Sequence, residues 1–335
     1  MAVAMYEDVS ATQTAVAAVE LSVCIANWNC RELLRRCLSS LLNQPQGVRF
    51  EIIVVDNGST DGAAAMVAHE FPHVRLIRNG NNRGFSTASN QAAAVARGNL
   101  LLFLNNDTLV PPYTLRQFAR FFEQYPDTAM IGPRLVGADG RYQISYRRKP
   151  SLGALLHRIG LLRWTGLFRR AYYDYRRSDY QPHGVREVEI LMGAAVVLTR
   201  DVFERGGRWD EAFRFGVEDI DLSTQVSSLG PVLYFGEAEI THFGREASRA
   251  NVRFSAPNVV IGYVRYFRKS GVSPWALFAY KLMLTLDAPI QLFGKMIQTA
   301  LRSLRRKPEK AARSRRAAAG IGHFLWNDLG RFWKA

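Results

Sequence analysis

The sequence predicts an α/β protein: a mostly parallel sheet flanked by helices, followed by a basic helical segment. Three patterns carry that expectation. Between Leu21 and Gly132 short apolar runs alternate with stretches of helical periodicity, as in successive βα units. One run, Leu100–Leu104, is apolar without interruption and stops at Asn105, Asn106 and Asp107, which fits a strand buried on both faces with a carboxylate at its C-terminal end. From Val259 to Leu304 apolar residues recur at helical spacing with basic interruptions.

Leu21–Ala26 reads as the first strand, and Arg31–Asn43 as a helix with Leu34, Cys37, Leu38 and Leu41 on one face. Phe50–Val55 is a second buried strand. It ends at Asp56, and the turn residues from Asn57 to Asp61 lead into a helix over Gly62–Glu70. Val74–Ile77 predicts a third strand and Phe85–Ala96 an Ala-rich helix entered through Asn82, Arg83 and Gly84. After the central strand come a helix from about Pro112 to Tyr125 and a short strand at Ala129–Gly132. Gly137–Arg186 is basic and aromatic without clear period, so irregular structure or short helices over the sheet edge are expected. Val188–Thr199 reads as strand interrupted by Gly193, Phe215–Leu229 as a turn into a helix, and Val232–Phe235 and Glu239–His242 as two short edge strands.

With 335 residues, 48% of them hydrophobic, the chain can bury a substantial core. The formal charge of +15 points to a polyanionic partner. Nine Lys or Arg between Lys295 and Arg316, against Glu309 alone, place more than half of that excess in one segment, which favours a docking surface. Three cysteines, Cys24, Cys30 and Cys37, form no CxxC pair and read as reduced thiols. The first twenty residues hold Glu7, Asp8 and Glu20 and no Lys or Arg, so a loose leader is expected rather than a secretory signal. Lys281, Asp287 and Lys295 interrupt the C-terminal apolar pattern and argue for a helix lying on a membrane or capping the core over one that crosses.

Four places could carry chemistry. Asp107 at the top of a buried strand suits a divalent cation that bridges diphosphate oxygens, and equally suits a turn that caps the next helix. Asp56 could accept the imide N–H of uracil or thymine, or serve only as a turn residue. Glu218, Asp219 and Asp221 open a helix, where the dipole stabilises acids; a carboxylate facing a cleft there could also take a proton from a hydroxyl. Asp219 is the better placed, since Asp221 points away and suits a backbone or arginine partner. His242 after a short strand could complete a metal site with Asp107, or simply be a satisfied core histidine. Asn27, Trp28, Asn29 and Cys30 stand where a dinucleotide fold would carry GxGxxG, which disfavours a nicotinamide enzyme.

Taken in order, LSVCIANWN, EIIVVDNGSTDG, NNRGF with SNQA, LLFLNNDT, GPRL with DGR, MGAAVVLTRDVFERGGRWDE, FGVEDIDL and ITHFG resemble the inverting family 2 glycosyltransferases of GT-A fold. The series is most similar to their rhamnosyltransferase-like branch. The resemblance covers about Leu21 to Arg249 and implies a Rossmann-like, mostly parallel sheet with a C-terminal helical, membrane-associating appendage. By that resemblance Asp56, Asn57, Arg83, Asn105 and Asn106 contact the nucleotide sugar. Asp107 and His242 hold Mg2+ or Mn2+, Asp219 is the catalytic base, and Glu218, Asp221 and Trp209 face the acceptor or support the site. Many members carry two acidic residues in the metal-binding triplet; here Asp107 is the one acid among Asn105, Asn106 and Asp107.

The expected organisation is a leader at 1–20, a glycosyltransferase domain at 21–250 with a nucleotide-sugar half (21–135) and an acceptor half (136–250), and a basic amphipathic helical region at 251–335. The expected partners are a nucleotide-diphosphate sugar, dTDP-rhamnose before a UDP-sugar, a lipid-linked glycan acceptor and an anionic membrane surface, with no nucleic acid. The expected location is the cytoplasmic face of the cell membrane, held peripherally. A processive synthase is disfavoured, since Gln225 is followed by Val226, Ser227, Ser228 and Leu229 and no QxxRW occurs. The rival is a basic membrane-surface or nucleic-acid-binding protein of the same fold without transferase activity.

Overall fold

A computed structural model of the chain describes residues 19–176, 180–244 and 251–335. Most of the expected leader lies outside them. Four strands, β1 (Leu21–Asn27), β2 (Phe50–Asp56), β3 (Arg75–Arg78) and β4 (Leu100–Leu104), are parallel in the order β3-β2-β1-β4. Helices α1 (Arg31–Leu42), α2 (Ala63–Glu70) and α3 (Phe85–Val95) connect them. All five residues of β4 are buried, because helices cover both faces of the sheet at that point. The two faces carry separate cores. Leu34, Leu38 and Phe118 pack on one side, and Phe103, Phe203 and Trp209 on the other.

Beyond β4 the sheet becomes mixed. The short β5 (Thr108–Leu109) and α4 (Thr114–Gln124) precede β6, which runs over Met130–Val136 and is longer than the expected short strand. The apolar stretch after Val188 splits at a turn around Gly193 into β10 (Ile190–Leu191) and β11 (Ala195–Thr199), and β11 enters antiparallel between β4 and β6. The two expected edge strands are one eleven-residue strand, β12 (Val232–His242), with an irregularity between Phe235 and Glu239. β12 does not lie at an edge: it pairs with β6 on one side and with β5 and β9 (Val185–Glu187) on the other. The local kink lets one strand serve two sets of neighbours, so its two apolar halves read as separate elements in the sequence.

The basic, aromatic stretch forms β7 (Tyr142–Gln143), β8 (Tyr146–Arg147) and three short helices, α5 (Leu152–Leu156), α6 (Gly160–Thr165) and α7 (Arg169–Arg176). β8 pairs with β10 in a separate two-stranded sheet. After α8 (Arg200–Arg205) and α9 (Glu218–Val226), the C-terminal region is helical: α10 (Val252–Lys269), α11 (Pro274–Leu304), α12 (Pro308–His323), a π-helical turn and α13 (Leu329–Lys334). Tyr263, Phe267, Leu277, Tyr280 and Phe332 build a third core among these helices. Gly320 lets α12 approach α10 closely, since a Cβ there would lie 3.1 Å from Val252 and 3.3 Å from Ala256.

Among the described residues α11 alone is long and apolar enough to cross a membrane by length and composition. Lys281 and Asp287 therefore do not exclude a span by number. They fix a face instead: Lys281 Nζ donates to the Trp333 carbonyl at 3.0 Å, and the Asp287 carboxylate accepts the Gly160 N–H at 3.1 Å. All three cysteines are buried and none is in a disulfide.

Candidate active site

A cleft of about 750 Å3 opens at the C-terminal ends of β1, β2 and β4, the edge of an open α/β sheet at which loops leave a rigid floor. Asp107 and Asp219 both line it, as do Asn57, Asn105, Asn106, Glu218 and His242. Chain positions more than a hundred apart thus share one pocket.

One wall follows from how β1, β2 and β4 end. Asp56 is buried beneath the lining: one carboxylate oxygen accepts Asn27 Nδ2 at 3.0 Å and the other accepts the Ser59 N–H at 3.0 Å. Asn27 Oδ1 in turn accepts Asn106 Nδ2 at 2.7 Å, so one chain of side-chain bonds joins three strand ends. Asn57 reaches the lining and ties the loop before α3, donating to the Gly84 carbonyl at 3.0 Å and accepting from Asn79 Nδ2 at 2.9 Å. The Asn105 N–H donates to the Ala194 carbonyl at 2.9 Å. Arg83 is exposed; its backbone N–H bonds Asn57 Oδ1, and its side chain is not part of the lining.

Asp107 and His242 meet because β5 pairs with the end of β12. Thr108 lies opposite His242, and the Phe243 N–H donates to the Asp107 carbonyl at 2.9 Å. His242 Nε2 is 3.4 Å from Asp107 Oδ1. Gln143 Nε2 donates to the His242 carbonyl at 2.7 Å, which leaves its Oε1 to accept from His242 Nδ1 at 2.8 Å. Nδ1 thereby carries a proton, and Nε2 faces a carboxylate. A carboxylate oxygen and an unprotonated imidazole nitrogen fixed from behind, 3.4 Å apart, are a suitable donor pair for Mg2+ or Mn2+. No group of three His, Cys, Asp or Glu residues occurs among the described residues, so remaining ligands would have to come from phosphate or water.

The opposite wall is built by the start of α9. Val217 precedes it in the left-handed region, φ 78°, a strained conformation for a β-branched residue, and so aims Glu218 and Asp219 into the cleft. Asp219 Oδ2 accepts the Gly193 N–H at 3.2 Å and Oδ1 the Ile220 N–H at 2.9 Å. Burial raises the Asp219 carboxyl above its ordinary range, opposed by the Gly193 amide and the Arg147 guanidinium. At Glu218 only its own backbone N–H opposes the shift. Its buried Oε2 has no hydrogen-bond partner, and burial together with the Asp219 charge pushes it up to about 8. The two amide N–H bonds to Asp219, against none to Glu218 Oε2, favour the negative charge on Asp219.

Asp221 points away from the cleft, where it accepts Lys269 Nζ at 2.9 Å and Gln225; the partner is a lysine and not the expected arginine. Trp209 is buried in the core against Phe85 and Phe103 and does not line the cleft, so it is placed for support and not for acceptor contact. Four features escaped the sequence reading. Arg147 and Arg176 bring cations to the lining, Gln143 fixes His242, and the first turn of α10 closes the cleft with Asn251, Phe254 and Ser255. Phe254 packs edge-on against Trp28 at 5.5 Å and Phe215 at 6.1 Å. Arg147 carries no signal among so many basic residues, and the α10 residues lie beyond the stretch covered by the motifs.

The profile described as "Glycosyl transferase family 2" matches residues 22–205. Among curated proteins, the chain is 27% identical over 205 residues to the N-acetylglucosaminyl-diphospho-decaprenol L-rhamnosyltransferase of Mycobacterium tuberculosis, covering 57% of this chain and 66% of the relative. It is 27% identical over 229 residues to the O-antigen biosynthesis protein RfbC of Myxococcus xanthus, covering 66% of this chain and 17% of the relative. In each case the match spans less than two thirds of the relative's own length. Among solved structures, the mannosyltransferase PcManGT of Pyrobaculum calidifontis, solved with GDP-Man and Mn2+, aligns with TM-score 0.51 at 17% identity over 93% of this chain and 89% of that one. S. aureus TarS 1-349 aligns with TM-score 0.50 at 15% identity over 90% of each chain. The shared fold is GT-A, and with a family profile matched over more than half of its length the chain belongs to glycosyl transferase family 2.

Proposed function

We propose that this chain is an inverting transferase that moves a sugar, L-rhamnose before others, from a nucleoside diphosphate to a hydroxyl of a lipid-linked glycan. One observation carries the reading: the Asp107–His242 pair and Asp219, from distant parts of the chain, line one cleft. Asn57, Asn105 and Asn106 line the cleft where the nucleotide sugar would lie, and Asp56 supports that floor from beneath through Asn27 and the Ser59 turn. Asp107 and His242 hold Mg2+ or Mn2+, which when bound neutralises the departing diphosphate.

Asp219, oriented by Gly193 and Arg147, takes the proton of the acceptor hydroxyl. The hydroxyl oxygen bonds the anomeric carbon from the face opposite the diphosphate. The old carbon–oxygen bond breaks with its electron pair on the leaving group, which inverts the centre. Rhamnose and the polyprenyl diphosphate acceptor rest on the relative named for N-acetylglucosaminyl-diphospho-decaprenol and L-rhamnose, the nucleotide-sugar donor and the metal on the neighbour solved with GDP-Man and Mn2+. A lipid-linked acceptor would bring the enzyme to the inner face of the cell membrane. The test is transfer and donor hydrolysis with a panel of dTDP-, UDP- and GDP-sugars, with Mn2+, Mg2+ or chelator. Turnover with dTDP-rhamnose that vanishes in chelator is expected; no turnover with any donor overturns the reading.

A further inference from the structure

On α11 the exposed apolar residues include Trp275, Phe278, Leu286, Ile290, Phe293 and Leu301, spaced so that they share one face of the helix. Ile290 is 69% and Phe293 66% exposed, values that mark an unpartnered surface and not the edge of a core. A helix of 31 residues is about 46 Å long, so the stripe far exceeds the patches common on soluble proteins. The opposite face is committed to the body of the protein through Lys281 to Trp333 and Asp287 to Gly160. At the end of the stripe Arg305, Arg306, Lys307, Lys310, Arg313 and Arg316 are all exposed.

We propose that this face of α11 is seated in the plane of an anionic phospholipid surface, with the stripe at the acyl boundary and the cation cluster at the headgroups. The charge pattern selects that occupant: an apolar stripe that runs into a block of like charges matches a lipid layer with negative headgroups. α11 does not cross the bilayer. α12 folds back along it, tied by Arg302 to Ser314, so immersing α11 would carry Arg313 and Arg316 into hydrocarbon. A second copy seated on the stripe would leave the cation block without a complement.

The seat rests on α11 and α12 and not on sugar transfer. The test is flotation of the full chain with phosphatidylcholine vesicles, with and without phosphatidylglycerol, beside duplex DNA and light scattering. Binding that requires phosphatidylglycerol and is released by alkaline carbonate is expected. Ile290→Glu with Phe293→Glu should weaken it about a hundred-fold, and Arg305→Glu with Arg306→Glu should abolish the preference for phosphatidylglycerol. Unchanged melting temperatures confirm that both variants fold, since the positions are exposed. Failure to bind either vesicle, equal binding by the stripe variants, resistance to carbonate extraction, preferential binding to DNA, or a dimer that the stripe variants dissociate would each overturn the proposal. Donor hydrolysis in solution should be the same for all variants, which separates this outcome from the fate of the transferase reading.

Discussion

The two walls of the cleft are built on opposite terms. On the wall formed by β1, β2 and β4, polar side chains satisfy one another: Asp56, Asn27 and Asn106 form a closed chain, and Asn57 is held from several sides. On the α9 wall Glu218 Oε2 and Arg147 Nε are buried without a partner, and Val217 is strained. Away from Asp107 and His242, the first wall is a preorganised mould whose bonds stabilise the fold whether or not a ligand is present. The second holds groups in a costly arrangement, as is common where side chains act on a bound molecule.

That contrast can be broken in four ways. Asp107→Asn and Asp219→Asn should each lower transfer by about a thousand-fold with folding intact by circular dichroism; a loss below about ten-fold for either would remove that wall from the chemistry. Gly193→Ala would place a Cβ 3.0 Å from the Asp219 Cβ. It should reduce kcat by about ten- to a hundred-fold while the donor KM stays near its original value. Asn27→Ala leaves Asp56 and Asn106 each short of a partner, and denaturant titration should read about 1–3 kcal/mol of lost stability.

The fourth test, a fifth substitution, has the opposite sign. The Glu218 carboxyl is raised in the fold from 4.5 to about 8, so its favourable contribution is full below pH 4.5 and declines as pH rises toward about 8. Glutamine needs no proton. Glu218→Gln should therefore melt a few degrees higher at pH 8 and above, and lose that advantage below about pH 4.5. If Asn27→Ala and Glu218→Gln change stability in the same direction at pH 8, the distinction between the two walls is wrong.

The parts of the site read from the sequence were those that close locally. Asp56 and Asp107 stand where apolar runs end, and a carboxylate after a buried strand is at the ligand-binding edge by geometry. Glu218 and Asp219 are marked by the helix they open. The parts missed depend on returns of the chain. β12 could be recognised as apolar in two pieces, but not as one interior strand, because the kink between Phe235 and Glu239 breaks the alternation. The antiparallel entry of β11 follows from its neighbours and not from its composition. Arg147 acquires its place only when β8 pairs with β10, beside the turn that carries Gly193.

One helix has a double allegiance. α10 enters the cleft with Asn251, Phe254 and Ser255, and the same helix is the floor on which α12 rests through Gly320. Whatever alters the tail will be felt at the rim of the cleft. A chimera joined at residue 250 would inherit that rim from one parent and the sheet-borne floor of the cleft from the other, so the tail and the cleft cannot be exchanged independently in this architecture.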